Sequence, residues 1–288
     1  MSDTLDRAEG RFMQMIATGS SLQAVLEAIV AQVELLVPGT FASVLLVDKS
    51  GHCLRHGAAP SLPVAYQRAV DGVAIGPSSG SCGTAAFRAA EVISEDIATD
   101  PLWDNFRSLA LKYDLRSAWS TPICGGAGEV LGTLAFYRST CWRPGRYEHH
   151  VVAMATHAAA IAIRRDREEQ RLRKLSAAVE QSADSVLIMN LEGYVEYVNE
   201  SFLRVSGFER DEVLGSRPAI LQESRASSPV GREIWDALRR GEPWRGELVN
   251  RRKDGRAYFE DCRISPLREP GGLITHYLTV GSDVTEYK

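Results

Sequence analysis

The chain has 288 residues, enough for two domains of ordinary size that each bury a core. Hydrophobic residues at 44%, charged residues at 24% and a net charge of −4 fit a globular protein and give no general attraction to nucleic acid or an acidic membrane surface. No apolar run approaches the ~18 residues of a membrane span. The start MSDTLDRAEG lacks the layout of a secretory signal, and the five cysteines form no CxxC pair, so a cytoplasmic protein with reduced thiols is expected.

Leu22, Val25, Leu26, Ile29, Val30, Val33, Leu36 and Val37 recur at helical spacing, with Ser20 or Ser21 as cap and Pro38-Gly39 as stop. Phe41–Val47 reads as a buried strand, a turn at 48–51 leads to a second strand at Cys53–Gly57, and Leu62–Val70 reads as a short helix. Gly76–Gly83 is a Gly- and Ser-rich loop expected to open a helix at Thr84–Ala90. It lacks the Lys-Ser/Thr of a nucleotide P-loop. Backbone N–H groups there would lower the pKa of Cys82 if its sulfur sat at the helix start; a tight turn with a small buried thiol is the plainer reading. A strand at Val92-Ile93, a helical piece from Asp100, and an antiparallel pair, Trp119–Ile123 with Val130–Tyr137, complete this part.

The run GAAPSLPVAYQRAVDGVAIGPSSGSCGTAAFRAAEVISEDIATDPLWDNFRSLALKYDLRSAWSTPI resembles a GAF domain of the kind placed beside PAS domains in bacterial sensor proteins. The resemblance implies an antiparallel sheet of five or six strands, helices on one side and a ligand pocket on the other. Neither a bilin-attachment pattern nor a cyclic-nucleotide signature is present, so the GAF ligand is unknown. Cys82, Asp96, Asp100, Trp103 and Trp119 are the candidates for pocket or lid, with core packing as the alternative for both tryptophans.

Tyr147–Ser182 joins an apolar half (Val151 to Ile163) to a charged half, RRDREEQRLRK, after which Leu172, Leu175 and Val179 recur at three- and four-residue steps. The pattern predicts one helix shared by two domains, with a break near Arg165-Asp166 as the alternative. The expected division is 1–165, a helical connector 166–182, and 183–288.

Beyond it, Ser185–Asn190 and Tyr194–Val198 read as a hairpin, and Asn199 caps a helix that Gly207 ends. A helix near Val230–Arg240 precedes three strands, Trp244–Arg251, Ala257–Pro266 and Ile274–Asp283. This is an α+β order. GYVEYVNESFLRVSGFERDEVLG, EPWRGELVNRRKDGRAYFEDCRISPLRE and HYLTVGSDVTEYK resemble a PAS domain, and within that family the flavin-containing redox and LOV types. The resemblance implies FAD or FMN as cofactor, with an empty or purely structural PAS pocket as the alternative. Asn250 would bond the isoalloxazine edge, Trp244 would lie near the ring, and Asn199 and Glu260 complete the cofactor candidates. Two departures stand out. Pro218 occupies the place of the LOV cysteine, so no thiol adduct can form, and Glu260 falls where LOV domains carry a second flavin-facing Asn, so a carboxylate would meet carbonyl acceptors.

No kinase, cyclase or helix-turn-helix signature is evident, and the His149-His150 pair lacks metal-ligand spacing. The expected function is a ligand- or redox-responsive sensory module. It would act as a parallel homodimer through Leu172, Leu175 and Val179 and pass its signal along the connector to a histidine kinase or cyclic-di-GMP enzyme, either in the same protein or as a partner. The rivals are a free methionine sulfoxide reductase using Cys82 and Cys124, and a non-sensing dimerisation segment.

Overall fold

The computed structural model of the chain describes residues 2–126, 128–217 and 229–288. It divides into two compact units, Met1–Gln170 and Arg171–Lys288. Pro218 and the rest of the stretch aligned with the LOV cysteine motif lie outside the described residues.

The first unit opens with helices α1 (Ser2–Ala17) and α2 (Leu22–Leu36). The Ser21 hydroxyl accepts from the Ala24 N–H at 3.3 Å and caps α2, as its position before an apolar-periodic run predicts. Sequence reasoning passed over α1, although Leu5, Ala8, Phe12 and Ile16 already carry a helical stripe. The sheet comprises β1 (Phe41–Val47), β2 (Cys53–Ala58), β3 (Val73–Ala74), β4 (Val92–Ser94), β5 (Ser117–Cys124) and β6 (Val130–Arg138). Its order is β3-β2-β1-β6-β5-β4, antiparallel throughout. Alternation along β6 divides the core: Leu134 and Phe136 join a cluster with α1 and α2, while Ala135 and Tyr137 join a second cluster containing Cys82 and Trp103. Helices α3 (Val64–Val70), α4 (Gly80–Arg88) and α5 (Arg107–Lys112) belong to this unit. Helix α4 starts at Gly80 rather than Thr84, so half of the supposed loop is its first turn.

Helix α6 (Arg146–Glu180) is continuous over 35 residues, about 52 Å at 1.5 Å per residue, and links the two parts of the chain. The alternative of a break near Arg165-Asp166 is excluded. Its apolar half is buried as far as Ile163, whereas Leu172, Leu175 and Val179 are exposed.

In the second unit, β7 (Ser185–Asn190), β8 (Val195–Val198), β9 (Trp244–Arg251), β10 (Ala257–Arg268) and β11 (Ile274–Asp283) form a five-stranded antiparallel sheet of order β8-β7-β11-β10-β9. Helices α7 (Glu200–Ser206), α8 (Arg210–Val213) and α9 (Pro229–Arg239) accompany it. Gly207 terminates α7 at a φ of 75°, a left-handed position that glycine adopts without a Cβ clash. Trp235, Leu238, Leu248, Cys262 and Ile264 anchor the core. The whole is α+β, with two antiparallel sheets of six and five strands.

Candidate functional site

Strand β10 buries every second residue: Tyr258, Glu260, Cys262 and Ile264 turn inward, as a strand with one wet face requires. Around Glu260 lies a cavity of about 350 Å³, bounded by Leu187 and Met189 of β7, Phe202 of α7, Leu248 and Asn250 of β9, and Tyr258. The walls expose mostly apolar surface, and three of the polar groups, Ser185, Asn250 and Glu260, are hydrogen-bonded together. The Asn250 Nδ2 donates to Glu260 Oε2 at 2.8 Å, and the Ser185 hydroxyl hydrogen-bonds the same carboxyl.

Glu260 is only 6% exposed. Its other oxygen lies over Gly281 of β11, where an added Cβ would sit 2.3 Å from Oε1. Gly281 therefore makes the hollow in which the carboxyl is seated. Burial pushes the Glu260 carboxyl up to about 7, helped by Asp283 across the β10–β11 ladder, while the hydrogen bonds from Asn250 and Ser185 pull the other way. The Cys262 thiol is pushed up to about 12, again chiefly by burial. That leaves it a packing residue rather than a nucleophile.

The other two cofactor candidates go elsewhere. Trp244 is buried in the core and stands opposite Ile264 in register; among the described residues it is not one of those lining the cavity, and its indole N–H finds no hydrogen-bond partner. The Asn199 amide is fully used by the backbone. Its Oδ1 accepts from Val186 and Phe202 N–H at 2.9 and 3.0 Å, and its Nδ2 donates to the Val179 and Asp184 carbonyls at 3.0 and 2.9 Å.

In the first unit Cys82 and Trp103 share one buried cluster and Trp119 belongs to the other. Trp119 stacks on Phe136 at 5.2 Å between ring centroids and donates to Glu91. Trp103 donates to the buried Ser94 hydroxyl at 2.9 Å. Asp96 is paired with Arg116 at 2.9 Å, and Asp100 caps the short helix at Pro101–Trp103. Cys82 is buried, its Sγ 3.2 Å from Ser120 Oγ and 3.4 Å from Tyr137 Oη. Each residue has a packing or capping duty.

The GAF domain model matches residues 19–164 and the PAS domain model residues 183–286. The chain belongs to the GAF domain family, with a PAS domain following. Over 304 aligned residues it is 27% identical to a methyl sulfide methyltransferase-associated sensor of Methanosarcina acetivorans, covering all of this chain and 29% of that protein. It is 32% identical over 107 residues to a nitrogen fixation regulatory protein of Klebsiella oxytoca, covering 37% of this chain and 22% of that protein. It is 30% identical over 112 residues to a blue-light-activated histidine kinase of Brucella canis, covering 38% and 23%. The chain spans less than a third of the length of each.

The GAF thiols are poorly placed for exchange. Ser120, which Cys82 touches, is four residues from Cys124 along β5, about 13 Å at strand rise. Cys124 is exposed and Cys82 buried, whereas a disulfide needs Cβ atoms about 4 Å apart. In the PAS domain, sequence reasoning missed Ser185, Tyr258 and Gly281. The period-two pattern of β10 could have flagged Tyr258 beside Glu260; the other two depend on strand pairing.

Proposed function

We propose that this chain is a ligand-responsive sensory module whose input site is the PAS cavity, and that the cavity takes the isoalloxazine ring of FAD or FMN. The observation carrying this reading is the Asn250–Glu260 pair, held 2.8 Å apart inside a largely apolar cavity of about 350 Å³. Small-molecule sites are of this kind: apolar walls of roughly 300–1,000 Å³ with a few convergent polar groups. Asn250 both donates and accepts, as an imide edge demands. Glu260 fits the same edge when it carries a proton. A bound flavin would supply redox or light sensitivity, and the chain's own residues would orient the ring and exclude water.

Trp244 is not part of this assignment, because it belongs to the core. No ligand is assigned to the GAF domain. The output belongs to a downstream domain or partner of histidine kinase or cyclic-di-GMP type, reached through α6, and pairing of two chains along Leu172, Leu175 and Val179 completes the proposal. Absorption spectra of the purified chain and flavin-fluorescence titrations with FMN test the input site. Asn250→Ala is expected to weaken FMN about thirty-fold, the loss of two buried hydrogen bonds at about 1 kcal/mol each. Unchanged affinity would refute the site.

A further inference from the structure

We infer that the PAS cavity binds its heterocycle together with one proton, which Glu260 holds and donates to a ring carbonyl. This rests on the flavin reading and adds a constraint to it. The isoalloxazine edge presents carbonyl, N–H and carbonyl in a row, which is acceptor, donor, acceptor. Asn250 gives one amide N–H to Glu260 and also bonds the Tyr258 side chain; by exchanging the Tyr258 bond for one to the ring it offers an acceptor and a donor to two neighbouring positions. The third falls to the group beside it, and that group is Glu260. A carboxylate facing a carbonyl sets acceptor against acceptor in an apolar cavity, whereas the neutral acid supplies the missing O–H. The carboxyl is fixed there by Asn250, by Ser185 and by the hollow over Gly281.

The surroundings favour the proton. Asp283 faces Glu260 from β11 and is itself paired with Arg252 of the β9–β10 turn at 2.7 Å. Tyr258 and Cys262 flank it on β10, and burial raises both, so they stay neutral. From β7 and β9 come the uncharged Ser185 and Asn250. Glu212, Arg217, Arg251 and Arg252 also line the cavity, with Glu212 paired to Lys253 and Arg252 to Asp283, each at 2.7 Å. With the carboxyl poised at about 7 before binding, a carbonyl partner draws the proton on and binding takes one from the buffer.

Riboflavin is the suitable probe, since it has no phosphate to titrate over the same range. Fluorescence quenching of riboflavin by the full chain between pH 6 and pH 8.5 is expected to show Kd rising towards tenfold per pH unit above neutrality. One-proton linkage gives about thirty-fold over that span. Calorimetry at pH 8 in two buffers of different ionisation enthalpy should show uptake of close to one proton. Glu260→Gln keeps a donor at the same place, so it should bind with a flat profile and more tightly than the wild type at pH 8.5. A flat wild-type profile overturns the proton coupling and leaves the flavin reading standing. Absence of binding at every pH overturns both. Binding by the wild type but never by Glu260→Gln also defeats the proposal, because it would mean that the carboxyl acts other than as a donor.

Discussion

At the residue scale, Glu260 is a carboxyl that the fold tolerates better protonated than charged. Its ordinary value is 4.5 and its folded value about 7, so the folded state holds the proton more tightly than the unfolded state. The stabilisation is therefore complete below about pH 4.5 and is lost as pH rises towards 7. Between pH 5.5 and pH 8 this amounts to about 2 kcal/mol, taking 1.36 kcal/mol per unit. Hydrogen exchange of the β9 and β10 amides should show the wild type losing protection over that range and Glu260→Gln losing much less. Parallel profiles would mean that the carboxyl finds solvent when charged. That Asn250 and Glu260 lie side by side was legible in the sequence, because the resemblance fixes their ten-residue spacing and β9 pairs directly with β10. Trp244 packs in the core and Asn199 caps a helix; an indole and an amide serve a core or a cap as well as a ligand, and only packing shows which duty each has. Trp103 and Trp119 are both buried, the packing alternative open to each, with Trp103 donating to the buried Ser94 and Trp119 to the exposed Glu91.

Among the elements, the end of α6 is the most specifically held. Asn199 ties the Val179 carbonyl of α6 to Val186 of β7 and to Phe202 of α7, and it is fully buried. Asn199→Ala would take the amide away from the Val186 and Phe202 N–H groups and from the Asp184 carbonyl, while the Val179 carbonyl keeps the Ser182 N–H at 3.3 Å. At about 1 kcal/mol or more for each unsatisfied group, a loss of roughly 2–4 kcal/mol is expected. Thermal unfolding should show it as a drop of several degrees, with riboflavin affinity of the folded molecules changed less than about threefold. The opposite pattern, intact stability with lost binding, would restore Asn199 to the cofactor site. Most strands were readable from alternation and turns, and the cap at Asn199 from its place before a helix. The misses occurred where local signals compete. Gly80, Ser81 and Gly83 have poor helix propensity, yet α4 begins there because it is buried against Trp103 and Phe106. Helix α1 escaped notice because its apolar stripe is interrupted by Asp, Arg and Glu, although Phe12 is fully buried.

On the scale of the whole molecule, the exposed half of α6 requires an explanation. Leu172 and Leu175 are each 57% exposed and Val179 38%, and their spacing of three and four residues sets them along one side of the helix. Three such positions match the a and d spacing of a parallel two-stranded coil, and in the proposed dimer the charged residues between Arg164 and Lys174 would supply the flanking positions that set register. Burying a leucine fully is worth about 1.5–3 kcal/mol, and partial exposure in the free chain takes only part of that. With so few layers, and with association entropy opposing them, the contact should be weak when α6 acts alone, on the order of micromolar to tens of micromolar. Sedimentation velocity should therefore show dimer growing with concentration in this range. The double change Leu172→Glu with Leu175→Glu places like charges in the seam and should hold the chain monomeric, while circular dichroism keeps its helix signal because both sites are solvent-exposed. A dimer that survives the double change would move the interface off α6. A wild-type chain that stays monomeric at ~100 μM, well above the expected constant, would leave the stripe without a role in pairing and require the PAS signal to leave along a single helix.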